Sequence, residues 1–331
     1  MRERSDVVAD ALPADLLVSV EPVVLRGLVR HWPMVQAAQV SDAEFCDYLR
    51  RFGSDTRVGL WRGAPEIDGR FFYNADFSGF NFQREIGLFG GLLDELLAHA
   101  DKPAPPALYL GSTELDASFP SLRRDNDLPG LRPHDPQVSL WLGNRTCVAP
   151  HFDLPDNIAC VVSGRRRFTL FAPEQVANLY VGPLDLTPAG QPISLVDHRH
   201  PDLARFPRYA EALRHAQTAL LEPGDAIFIP SQWWHGVEGL EPVNALVNFW
   251  WRQSPAYMDT PLNTLMLALL SLRDLPPAQR DAWRALFDHY VFDADEHTAA
   301  HIPPGARGML GPITQDRARS LRSFLLNRLN R

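Results

Sequence analysis

The chain has 331 residues, 45% hydrophobic and 22% charged, with a formal net charge of −8. That balance describes an ordinary globular protein with enough material for one large core or a core plus an appendage. The acidic sign argues against a long electrostatic grip on nucleic acid, so nucleic acid is not an expected partner. Three scattered cysteines, Cys46, Cys147 and Cys160, form no C-x-x-C pair. They give neither a disulfide framework nor a thiolate zinc site, and point to a reducing, cytoplasmic setting.

Arg2 and Arg4 are followed by acids and a proline rather than by an apolar run, so no signal peptide is expected. Val23-Val24-Leu25 reads as a short buried strand, and His31-Trp32-Pro33 begins a connection. Ser41-Asp42-Ala43-Glu44 is a capping box, followed by Phe45, Tyr48, Leu49 and Phe52 on one helical face and Gly53 as the stop. A second helix is predicted over 87–100, ended by Lys102-Pro103-Ala104-Pro105-Pro106. From there the pattern shortens to strand-like runs at 108–110, 138–142, 158–162, 168–171, 226–229 and 245–251, separated by Gly, Pro and Asn. Such spacing predicts a barrel or sandwich. Glu222-Pro223-Gly224-Asp225 is a tight turn, and the polar stretch 183–214 is too long for a simple connection. Beyond 255 the pattern is helical again: 262–272, too short for the roughly 20 residues of a bilayer span and so a buried or interfacial helix, then 275–291 and 313–329.

The residues that carry chemistry are His151-x-Asp153 and, 82 positions after the carboxylate, His235 in Ser231-Gln232-Trp233-Trp234-His235. Two imidazoles and one carboxylate are the facial triad that holds iron(II) and leaves positions open for a cosubstrate and oxygen. Residues two apart on an extended backbone point to one face, so His151 and Asp153 can share a metal, and His235 must arrive on a neighbouring strand. Any single histidine among the 11 present reads as well as a surface or core residue. The H-x-D spacing, the strand–turn–strand context and the Pro-x-x-Trp-Trp-His turn together favour metal ligation.

With Leu140-Trp141-Leu142-Gly143-Asn144, Pro150-His151-Phe152-Asp153, residues 164–173, Arg205-Phe206-Pro207, Glu222-Pro223-Gly224-Asp225 and Asn248-Phe249-Trp250, the chain resembles the JmjC and cupin-like iron(II)/2-oxoglutarate oxygenases. The likeness is strongest to the asparaginyl-hydroxylase type called factor inhibiting HIF. It runs over about residues 105–258, with a weaker echo at 21–33. It implies a double-stranded β-helix of the jelly-roll class with added helices, Fe(II) at His151, Asp153 and His235, and 2-oxoglutarate and O2 as cosubstrates. The implied domains are a supporting segment 1–104, a catalytic core 105–258 and a helical region 259–331 that either mediates homodimerisation or packs back on its own barrel.

In that family a lysine on the strand after a glycine turn holds the distal carboxylate of 2-oxoglutarate. The matching residue here is Arg166, planar and bidentate where lysine is a point charge. Strand alternation turns Arg166 inward and its neighbours Arg165 and Arg167 outward. Tyr109 and Asn157 match positions that hydrogen-bond the cosubstrate, and Asn248 and Trp250 match positions that line its pocket or pack beside it. A threonine that touches the cosubstrate in relatives is Val148 here, so that hydroxyl contact is either lost or supplied by Thr169. The segment that reads a substrate asparagine is Pro192-Ile193-Ser194-Leu195, apolar at both recognition positions, so asparagine specificity does not carry over.

The chemistry expected is hydroxylation of a protein or peptide side chain or an amino-acid-like small molecule, with no membrane involved. A non-catalytic metal-binding cupin module, a lysyl demethylase and an RNA-modifying oxygenase of the same fold stay open as alternatives.

Overall fold

The structure, a computed structural model, describes residues 1–258 and 260–330. It divides into two compact units, Met1–Gln253 and Ser254–Arg331. The first contains thirteen strands: β1 (Arg2–Arg4), β2 (Val23–Leu25), β3 (Arg57–Gly63), β4 (Phe82–Leu88), β5 (Ala107–Glu114), β6 (Gln137–Gly143), β7 (Cys147–His151), β8 (Asp156–Ser163), β9 (Arg166–Phe171), β10 (Gln217–Leu221), β11 (Ala226–Ile229), β12 (Trp234–Gly239) and β13 (Asn244–Trp251). Nine form one sheet in the order β1-β2-β11-β8-β13-β6-β5-β3-β4, and four form another, β10-β9-β12-β7. From β6 onward the chain alternates between the two sheets, apart from the step β9 to β10, and eight strands result with four in each. That is the jelly-roll expected from the short, evenly spaced strands.

Alternation decides which side chains meet. On β8, Ile158, Cys160 and Val162 join a core with the helices Pro33–Val40, Asp42–Gly53 and Phe89–Ala98, while Ala159 and Val161 face the second sheet. On β13, Ala245, Val247, Phe249 and Trp251 take the helix side and Leu246 the interior, which puts Asn248 and Trp250 inside as well. Burial on both faces explains why these strands read as nearly continuous apolar runs. The interior between the sheets is apolar at one end, with Phe168, Leu170, Ile227, Ile229 and Val237.

The capped helix forms as read: Ser41 Oγ accepts from the Glu44 amide at 3.1 Å, and the helix runs Asp42–Gly53. The second helix begins only at Phe89, because Gly87 and Leu88 complete β4 opposite Val58 and Arg57 of β3. The start of the expected connection after Trp32 is instead the helix Pro33–Val40, with proline at its first turn where its missing N–H costs nothing.

In the second unit the helices are Pro261–Ser271, Pro277–Phe287 and Gln315–Leu329. No residue of Pro261–Ser271 is buried, and Leu270 is 80% exposed, so of the buried and interfacial readings only the interfacial one is left. Among the described residues no helix is long and apolar enough to cross a membrane.

Candidate metal centre

His151 ends β7 and His235 lies near the start of β12, and the antiparallel pairing places them directly opposite each other. Between the pairs His235–His151 and Val237–Val148, β7 carries one residue more than β12, a bulge that brings His151 round to the interior face with Val148. Their rings lie 4.4 Å apart, centroid to centroid. Asp153 follows two residues beyond β7, with Oδ2 3.6 Å from His235 Nε2. One donor atom from each of the three lies within 4.8 Å of the others.

The loop that carries Asp153 is tied to the turn before His235. The Gln232 amide donates to Asp153 O at 2.9 Å, the Ser231 amide to Asp156 Oδ1 at 2.9 Å, and Ser231 Oγ to Leu154 O at 2.6 Å. Gln232 adopts a positive φ of 67°, a strained arrangement retained by those contacts.

Both imidazoles are oriented by the same device. His151 Nδ1 lies 3.0 Å from Ala149 O, and His235 Nδ1 lies 2.9 Å from Trp233 O. A carbonyl only accepts, so each Nδ1 carries the proton and each Nε2 keeps its lone pair for a metal. Burial, helped by the neighbouring His151, pushes the His235 pKa down to about 4, so that ring is neutral over the physiological range. The donor set and its orientation fit iron(II).

Arg166 opens β9 after the turn at Gly164, whose φ of +66° and closeness to Val243 O and Asn244 exclude a side chain. It sits on the interior face with Phe168 and Leu170, and Leu170 is the cross-strand partner of His235. Four residues of strand separate Arg166 from Leu170, roughly 13 Å at about 3.3 Å per residue. An arginine side chain and a five-carbon diacid laid end to end can span that interval. Arg166 is 2% exposed, and its Nε and Nη2 have no hydrogen-bond partner. Burial lowers its pKa to about 10, which leaves it a cation at neutral pH. A buried guanidinium with free N–H groups calls for an anion. Tyr109, its phenol pushed up to about 12 by burial, feels the charge of both Arg166 and Asp153.

The remaining expected positions separate by face. Asn248 is interior, its Oδ1 accepting from Trp141 Nε1 at 2.8 Å and its Nδ2 donating to Asn157 Oδ1 at 3.5 Å. Trp250 packs edge-on against Trp141, and its Nε1 has no partner. Val148 faces the interior opposite Val237, as an apolar wall. Thr169 is not brought to this site. It pairs with Gly236 on the face of β9 that carries Phe171, opposite to Arg166, so the substitute hydroxyl is corrected.

Two interior residues escaped the sequence reading. Trp141 clamps Asn248, and Ser139, cross-strand from Asn248, has a buried Oγ without a partner. The alternation of Val138-Ser139-Leu140-Trp141-Leu142 already placed both on the face away from the apolar residues.

Comparison with known proteins gives the family. The sequence profile described as "Cupin-like domain" matches residues 9–257. The chain is 29% identical over 242 residues to "Lysine-specific demethylase 8" of Xenopus tropicalis, covering 71% of this chain and 49% of that protein. It is 39% identical over 158 residues to "HSPB1-associated protein 1" of Homo sapiens, covering 46% and 30% respectively. It is 28% identical over 194 residues to "tRNA wybutosine-synthesizing protein 5" of Danio rerio, covering 51% and 54%. The chain thus spans about half or less of the length of these relatives.

Proposed function

Since the chain belongs to the cupin-like domain family, we propose that it is an iron(II)- and 2-oxoglutarate-dependent oxygenase that hydroxylates a protein or peptide side chain or an amino-acid-like molecule. The observation that carries the reading is the unpaired, buried Arg166 on the same interior face as His235. A binding barrel without a diacid ligand would have no use for an orphaned cation there, because leaving one unpaired is costly.

Iron bound at His151, Asp153 and His235, with 2-oxoglutarate and oxygen, supplies oxidative decarboxylation of the keto acid coupled to oxygen insertion into a C–H bond. The chain's own residues do the rest. The carbonyls of Ala149 and Trp233 hold the two imidazoles in the metal-binding tautomer. Arg166 would take the distal carboxylate of the diacid through its free N–H groups, and the phenol of Tyr109 stands ready to donate to the same anion. Asn248, held by Trp141, and Trp250 would line the interior beside the diacid and keep water from it.

The test is 2-oxoglutarate turnover to succinate by the iron-loaded protein, followed by mass spectrometry of a peptide and metabolite extract for products gaining one oxygen atom. Turnover by the wild type and none by Asp153→Ala is expected. An Asp153→Ala protein as fast as the wild type overturns the ligand assignment. Methyl loss with formaldehyde release, instead of oxygen gain, would replace hydroxylation by demethylation.

Homodimerisation through the second unit belongs to the same proposal. Its helices expose Leu265, Leu270, Trp283, Leu286, Phe324 and Leu326, large apolar side chains that a second copy would cover. A dimer in light scattering, converted to monomer by Phe324→Asp with Leu326→Asp, is the expected result. The free thiols of Cys46, Cys147 and Cys160 fit a reducing compartment such as the cytoplasm.

A further inference from the structure

Behind the iron ligands, on the opposite face of the same four-stranded sheet, lies a second set of metal-ligating side chains. Cys147 opens β7 and pairs with Glu238 of β12, so the two side chains are cross-strand neighbours on one face. The stretch 183–214 brings Asp197 and His198 against them. The His198 ring lies over Gly236, where any side chain would collide with it. One donor atom each from Cys147, Asp197 and His198 falls within 4.8 Å of the others, and Glu238 Oε1 is 3.9 Å from His198 Nε2.

The histidine is the informative member. Its side chain is 1% exposed, and neither Nδ1 nor Nε2 has a hydrogen-bond partner. A buried imidazole with both nitrogens unsatisfied is expensive and needs a partner. Burial holds that ring neutral, with its pKa down at about 4, which leaves a lone pair to give.

We propose that Cys147, Asp197 and His198, with Glu238 as the fourth donor, form a second metal site for a divalent ion of the zinc class. A thiolate, an imidazole and carboxylates are the mixed donor set such an ion takes, at about 2.0–2.3 Å from each. Tetrahedral binding at those lengths puts donors roughly 3.3–3.6 Å apart, so Cys147, Asp197 and His198, now within 4.8 Å of one another, and Glu238 beside them would close on the ion. The Cys147 thiol gives up its proton to solvent as the metal–sulfur bond forms.

Arg199 and Arg70 both face Asp197, at 3.3 Å and 3.9 Å, and Arg167 holds Glu238 at 3.3 Å. These contacts leave lone pairs on each carboxylate and orient it, as outer partners of metal ligands do. They also balance the charge of a thiolate and two carboxylates around the ion. The sequence offered no sign of this site. Cys147 and His198 are 51 positions apart and no C-x-x-C is present, which is why a thiolate zinc site was not expected. The ion would join three segments, β7, β12 and the 183–214 stretch, whose Ile193 pairs with His151. It would therefore staple that stretch to the sheet that carries the iron ligands.

Cobalt(II) tests the proposal, because only a thiolate site gives an intense sulfur-to-cobalt charge-transfer band and the iron triad contains no sulfur. The full chain, stripped by chelator and titrated with cobalt(II) alone, is expected to develop that band within two equivalents per chain, since the iron triad also takes the ion. The band should persist in a His151→Ala, Asp153→Ala double variant and vanish in Cys147→Ser. Should Cys147→Ser fail to fold by circular dichroism, His198→Gln gives the second reading, with cobalt binding weakened at least about tenfold. A folded wild type without the band overturns the proposal. So does a band that survives Cys147→Ser, or one that His198→Gln leaves at wild-type affinity.

Discussion

The two faces of the β10-β9-β12-β7 sheet are made by alternate residues of the same strands, yet they differ in how their polar groups are satisfied. On the interior face His151 and His235 each give Nδ1 to a carbonyl two residues back, which leaves Nε2 for a metal. On the other face His198 has neither nitrogen bonded, although its side chain is just as buried. Neighbouring positions on β12, His235 and Gly236, serve one face each: the first is a ligand, and the second is bare so that His198 can lie on it. A strand period of two thus lets one short sheet carry two donor sets a peptide unit apart. One is oriented in advance, and the other waits for an ion to satisfy it.

The sharpest way to break that comparison is on the interior. Asp153→Ala removes a metal ligand and should lower 2-oxoglutarate turnover by more than about 100-fold, above the 10–100-fold typical of outer partners. Its side chain is 13% exposed and belongs to no apolar cluster, so the thermal midpoint should stay close to that of the wild type.

Arg166→Met tests the interior cation by an expected change of sign. Without 2-oxoglutarate the variant should be at least as stable as the wild type, because it replaces an unpaired buried charge by an apolar side chain. With 2-oxoglutarate the order should reverse. Ligand at about 100 times its Kd stabilises the wild type by about 2.7 kcal/mol, and the variant gains little. The KM for 2-oxoglutarate should rise roughly 10- to 100-fold, as expected for loss of charge-assisted hydrogen bonds of about 1.5–3 kcal/mol. Thermal melts with and without the diacid, on protein loaded with a redox-inert metal, read both halves.

Much of this was legible beforehand because it depends on local spacing. The H-x-D triplet, the Trp-Trp-His turn and the isolated inward arginine after Gly164 are short-range patterns, and the strands that carry them are buried on both faces and so read as apolar runs. What stayed hidden depends on pairing between distant segments. β3 alternates only over Arg57-Val58-Gly59-Leu60, and β4 carries Gln83, Arg84, Glu85 and Ile86 on exposed positions in a row, too little apolar pattern to announce the pair. The face of Thr169 was misjudged although the signal was present: it is three residues from Arg166, and an odd offset on a strand means the opposite side. The cluster around His198 needs the 183–214 stretch folded back onto β7 and β12, a contact that spacing does not encode.

The smallest expected effect is the most exact probe of that face assignment. In the pairing Thr169 lies opposite Gly236, the residue after His235, whereas Asn248 lies on the other sheet, paired with Ser139 and Ala159. Only Asn248 shares the interior with Arg166. Asn248→Ala frees Trp141 Nε1 and opens the cavity wall, which should raise the KM for 2-oxoglutarate about tenfold, the size of one lost buried hydrogen bond. Thr169→Val keeps shape and removes only a hydroxyl that points away from the cavity, so its KM should move by less than about threefold, within the ±0.5 kcal/mol of a neutral site. If Thr169→Val raised KM as far as Asn248→Ala, β9 would have to be registered one residue away from its present pairing with β12. Arg166 would then face outward, and the interior cation on which the cosubstrate assignment rests would be gone.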